Sequence, residues 1–391
     1  MGLISRPMRR LLYALLCVFI TATAAPASAA IPFHFGLYPA GPLDGITDVP
    51  GVMVGHLTKV EGTSIRTGAT AILPNADPWV RKVAAAAIAF NGNGEMTGAH
   101  WVNEAGFLET PIVLTDTLDI GRADDGVISW MMRKHPEIGV RDTVPLPVVA
   151  ECDDQFLNDI RARAVTGDDV VQLLDSAKTG QFARGGVGAG TGMTAFSFKG
   201  GIGSASRVLP KDLGGYTVGV LVNDNTSGGG TRRVLTINGV HVGARLQNEY
   251  KPFVPKHAAM HGRPAYGSII ITIATNAPLD SRQLHALALR AGLGMARTGL
   301  YSAVGSGDLF IAFSTGQVFA RTPSYDIEPP HTPILEDEDT INALYLATVE
   351  ATEGAIYDSI FNGKTTTGRN GATVYGLPVD RVMNMLKEVK E

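Results

Sequence analysis

Cysteine is nearly missing from this chain: 391 residues carry only Cys17 and Cys152. Charge is sparse as well, 18% of residues with a net value of −4, so nothing provides the basic face that nucleic acid requires. Several catalytic signatures are also lacking. There is no G-x-S-x-G elbow to seat an α/β-hydrolase triad. No H-E-x-x-H and no paired cysteines occur, and the 9 histidines are scattered. His56, His100, His241, His257, His261 and His285 therefore read as core or surface residues, and neither a metal nor a cofactor is expected. The run "GGVGAGTGM" (Gly185 to Met193) lacks the Lys-Ser/Thr of a phosphate loop. It reads as a turn in which backbones approach closely.

What is present is a globular composition: 45% hydrophobic residues, with 46 glycines clustered after apolar runs. That pattern predicts tight turns around a sheet-rich interior. The first 30 residues stand apart. Arg6, Arg9 and Arg10 precede a short apolar run that ends in Ala27-Ser28-Ala29. This is the secretory signal pattern, with cleavage expected near Ala29 or Ala30, and the run is too short to serve comfortably as a bilayer span. Export to the periplasm or beyond is expected, with no membrane partner. Cys17 would leave with the signal, so no intrachain disulfide could form and the fold must rest on its core.

Along the rest of the chain, strands are expected from about Val52, in "GATAILPNA", "PIVLTDT" and "TVPLPVVAE", and in "DLFIAFST". "KVAAAAIAFNGNGEMTG" reads as a short apolar element, and "GGVGAGTGMTAFSFKGGIGSASRVL" as two strands with Gly-rich ends. Helices are expected over Asp124 to His135, in "DDVVQLLDSAKTG" (closed by Gly180), in "SRQLHALALRAGLGMARTG", in "TINALYLATVEATEGAIYDSI" and from Val379. Tyr250 to Pro264 reads as a surface loop. The grouping implies a layered α+β fold with one continuous core across the loop at about Lys251 to Gly267.

"YGSIIITIATNAPLD" holds the main chemical candidate. A strand of β-branched residues begins at Gly267-Ser268, directly after a turn-prone stretch. A serine hydroxyl needs a base beside it, and an N-terminal serine carries its own: an α-amine with a pKa of about 8. A cut before Ser268 would create such a residue. By itself, Gly-Ser ahead of a strand is common, and an ordinary strand start remains the simpler reading.

Several further segments change that balance. "ITDVPGVMVGH", "NGNGEMTGAHWVNEAG", "PVVAE", "GGVGAGTGM", "GGIGSASR", "VGVLVNDN", "GSIIITIATNAPL", "GLGMARTG" and "GSGD" stand in one order along nearly the whole mature chain. In these the chain resembles the P1 or S58 peptidases, the L-aminopeptidase/D-esterase and β-aminopeptidase type. The resemblance implies an αββα sandwich like that of N-terminal-nucleophile hydrolases, and self-cleavage between Gly267 and Ser268. It also implies a homo-oligomer of αβ units, one portion spanning 31–267 and the other 268–391. Ser268 would be the nucleophile and Asn225 the oxyanion donor. Ser306 would be a second serine nearby, and Asp308, where some members carry Glu, would orient the nucleophile or its amine. Glu151 would hold the free ammonium group of a short peptide, amide or ester.

One departure stands out. Thr or Ser and then an aromatic residue often follow that Glu, whereas this chain has Cys152, Asp153 and Asp154. Asp153 is expected to make the pocket more polar, and Cys152 to fill space. An exported serine aminopeptidase is the resulting expectation. The alternatives are an acyltransferase of related fold and an inactive peptide-binding relative.

Overall fold

The computed structural model describes residues 31–228, 230–255 and 267–388. The expected signal segment, His257, His261 and most of the expected 250–264 loop lie outside them. Two sheets form the centre. The smaller runs in the order β1 (Met53–Glu61), β2 (Ile65–Leu73), β5 (Ile112–Asp116), β6 (Val148–Cys152). The larger runs β4 (Phe107–Leu108), β3 (Arg81–Gly92), β10 (Gly307–Arg321), β9 (Ser268–Thr275), β8 (Thr217–Asn225), β7 (Gly201–Val208), with β11 (Ile327–Glu328) on β10.

Strand β9 shows why the layers stack as they do. Ile269, Ile271 and Ile273 pack with Leu284, Leu287 and Ala291 of α6 (Ser281–Arg297) and with Leu344, Ala347 and Ile356 of α7 (Glu338–Phe361). Ile270 and Ala274, one residue out of step, meet Ile72, Leu114, Ala150 and Cys152 between the sheets. A strand buried on both faces has no polar face to show, hence its apolar run, interrupted only by the buried Thr272. On the far side, Ala71, Val113 and Val149 pack against α2 (Ile120–Lys134) and α3 (Gly167–Ser176). The result is helix, sheet, sheet, helix: an αββα sandwich. Helices α1 (Ala99–Ala105), α4 (Thr231–Val234), α5 (Val242–Arg245) and α8 (Val379–Glu388) complete the set among the described residues.

Several local expectations change. The core does continue across the loop, since Val220 and Ile271 share one cluster and Leu221 and Ile270 another, but it is layered into three stacked clusters with a small fourth because each sheet buries both faces. The Ala-rich segment is a full strand, β3, and α2 starts at Ile120. Helix α3 opens with a reciprocal Thr166–Asp169 capping box but ends at Ser176; Gly180 serves a later turn at φ +91°. "TAFSFK" folds back on itself as the short hairpin Thr194–Ala195/Phe198–Lys199, leaving β7 as the one long strand of that region. The preceding Gly-rich turn does bring backbones together. A Cβ on Gly190 would sit 2.4 Å from the Ile202 nitrogen. No described helix is long and apolar enough to cross a membrane.

Candidate active site

Ser268 is the first residue of β9 and is 7% exposed. It pairs with Asn225 at the end of antiparallel β8 and with Gly307 at the start of parallel β10. Directly opposed residues project to the same face. Asn225 and Ser268 therefore share the inter-sheet face, and Asn225 Nδ2 points at Ser268 Oγ from 3.5 Å. The orientation of that amide is fixed from both ends. Its Oδ1 accepts from the Thr194 N–H at 2.9 Å, and its Nδ2 also donates to the Asp153 carbonyl at 2.7 Å. A flipped amide would set oxygen against oxygen and N–H against N–H, so a donor faces the serine.

Ser306 and Asp308 flank Gly307, as the i, i+2 rule predicts for one face. That face is not the one carrying the Ser268 hydroxyl. Asp308 lies opposite Ile269, so its carboxylate belongs to the helix side of the sheet. There Ser306 Oγ donates to Asp308 Oδ1 at 2.5 Å, and Ser302 Oγ donates to Oδ2. Burial raises the Asp308 pKa, and the two hydroxyls pull it back down. Gly267, Ser306, Asp308, Ser302 and Thr226 line a cavity of about 20 Å³. That is room for roughly one small polar group or water. The carboxylate thus shares a cavity with Gly267, the residue before Ser268, and lies on the face opposite the Ser268 hydroxyl. Gly267 is tight: a Cβ there would stand 3.1 Å from the Thr226 backbone.

Glu151 and Asp153 come close by different routes. Glu151 is 6% exposed and accepts from the Glu95 N–H at 3.1 Å and from Thr117 Oγ1. Burial raises its pKa, against the lowering effect of Thr117. Gly94 packs between Glu151 and Gly307, so one turn of "NGNG" separates this carboxylate from the residue paired with Ser268. The Asp153 carboxylate turns away to Gln155 N and Nε2, at 2.8 and 2.7 Å; its carbonyl is what touches the site.

Sequence reasoning passed over two partners, Ser302 and Thr194, while a third neighbour, Cys152, was expected to fill space. Cys152 is fully buried, within hydrogen-bonding reach of Ser268, and donates to the Asn223 carbonyl at 3.6 Å; burial drives its pKa well up, so it is an inert filler beside the nucleophile candidate. Ser302 and Thr194 had no spacing signal at all. Their roles come from a loop conformation and from a backbone N–H.

The model of peptidase family S58 matches residues 44–374. The chain belongs to peptidase family S58. It is 39% identical to the β-peptidyl aminopeptidase BapA of Sphingosinicella xenopeptidilytica over 95% of each chain, and 37% identical to BapA of Sphingosinicella microcystinivorans over 90% and 89%. A Burkholderia sp. β-aminopeptidase superposes with TM-score 0.81 at 40% identity, covering 91% of this chain and 97% of that one. The L-aminopeptidase D-Ala-esterase/amidase of Ochrobactrum anthropi, described as a variant of the N-terminal-nucleophile hydrolase fold, gives TM-score 0.78 at 35% identity over 92% and 97%. This S58 member is a serine-type aminopeptidase hydrolase.

Proposed function

We propose that this S58 member is an exported, self-processing aminopeptidase whose nucleophile is Ser268, freed by scission after Gly267. The observation that carries the reading is the pairing of Ser268 with an amide locked to donate toward it. In the cut enzyme Ser268 Oγ attacks the substrate carbonyl and its own α-amine takes the hydroxyl proton. The C–N bond then breaks, that proton passes to the leaving amine, and water releases the acyl group. Asn225 Nδ2 donates to the oxyanion. Asp308, gripped by Ser302 and Ser306, holds the new α-amine on the far face of the strand. Glu151 takes the substrate ammonium, whose charge would reverse the effect of burial on its carboxylate. The names of the two BapA relatives and of the Burkholderia protein favour N-terminal β-amino acids as substrates. The pattern of residues 1–30 favours export.

The test is Ser268→Ala, assayed on a β-aminoacyl amide and run on a denaturing gel. One uncut, inactive chain is expected. An active Ser268→Ala enzyme would refute the assignment.

A further inference from the structure

Lys199 is fully buried, which lysine almost never is without an anionic partner in contact. Its Nζ donates to three backbone carbonyls, Gly190 and Met193 at 2.8 Å and Gly200 at 2.7 Å. Three acceptors match the three protons of an ammonium; a neutral amine would turn a lone pair toward one of them. Burial pushes this group down to about 7, and the charges of Asp224 and Asp154 oppose that.

The Met193 carbonyl and the Thr194 N–H are two ends of one planar peptide unit. That N–H is the one that fixes Asn225 Oδ1, and the Asn225 amide then faces Ser268 Oγ. The order is ammonium, peptide, side-chain amide, serine. Each donor after the ammonium is attached to a group whose oxygen is already accepting a hydrogen bond. Such chains polarise along their length, and in a buried site the effect is not damped by water.

We propose that Lys199 is a positioning residue for the oxyanion donor, orienting and polarising Asn225 through the Met193–Thr194 peptide; this rests on the roles given to Ser268 and Asn225 above. A merely structural lysine would clamp the glycine turn, and replacing it would change stability alone.

The test compares Lys199→Met, Asn225→Ala and the double variant by single-turnover acylation with an activated ester, which reads slow rates. Lys199→Met is expected to lower the acylation rate by about tenfold with KM nearly unchanged, measured well below its unfolding midpoint. In the Asn225→Ala background the same change is expected to be silent, because its only route is gone. Losses that multiply in the double variant, or an unchanged rate in Lys199→Met, would overturn the proposal. Should Lys199→Met fail to fold, Lys199→Gln keeps N–H donors for the turn without the charge, and it is expected to lose rate in the same way. Ser268→Ala in the same series separates the two claims. If it is inactive while both Lys199 variants match the parent, only the relay falls; if it is active, the nucleophile assignment itself falls.

Discussion

Both ends of the Asn225 side chain are engaged before any substrate arrives, so in the proposed role its donor would need no reorganisation when an oxyanion forms. Removing it in Asn225→Ala is expected to lower kcat by roughly 100- to 1,000-fold, with a smaller effect on KM. Glu151→Gln should do the opposite, raising KM for substrates with a free amine while leaving kcat nearer the parent value; steady-state kinetics distinguishes the two patterns. His56 supplies a pH test. Burial lowers it from 6.5 to about 4, and its Nε2 has no partner. Between those values the unfolded chain binds a proton that the folded one refuses, so stability falls as pH falls. Relative to His56→Gln, the parent is expected to lose on the order of 3 kcal/mol between pH 7 and pH 4, read from denaturant midpoints. A constant difference across that range would contradict the assignment.

At the scale of elements, β9 was legible because its composition leaves no polar face, and α3 and α6 because their first turns carry capping pairs, Thr166 with Asp169 and Asp280 with Gln283. The i, i+2 relation of Ser306 and Asp308 was legible for the same kind of reason. What alternation within one strand does not carry is register between strands. That register puts Gly307, not Asp308, beside Ser268, and so sends the Asp308 carboxylate to the opposite face from the hydroxyl. The Ser302 hydroxyl reaches Asp308 from a loop with φ +55°, a conformation that no spacing pattern announces. The Gly-rich turn was recognised as a close approach, but its bond to the Asn225 amide runs through backbone and is invisible in the letters. Gly190→Ala tests that turn. Its Cβ would collide with the Ile202 and Gly185 backbones. Both thermal midpoint and kcat are expected to fall, whereas a substitution at Gly121 in α2, where a Cβ meets nothing and the backbone is not left-handed, should leave kcat alone.

For the molecule as a whole, the position of the proposed cut matters more than its chemistry. Strand β9 lies in the middle of the larger sheet, between β8 from the first portion and β10 from the second. Scission before Ser268 therefore leaves one shared interior, and the two pieces are expected to co-elute natively and to melt in one transition. Separation of the fragments on a native column would argue against this. The central claim, that a chain break gives Ser268 both a hydroxyl and an amine, is tested most directly by terminal sequencing and intact mass of active, purified protein. Two chains are expected, the smaller beginning at Ser268. Full activity in a preparation whose chain remains joined from Gly267 to Ser268 would contradict it.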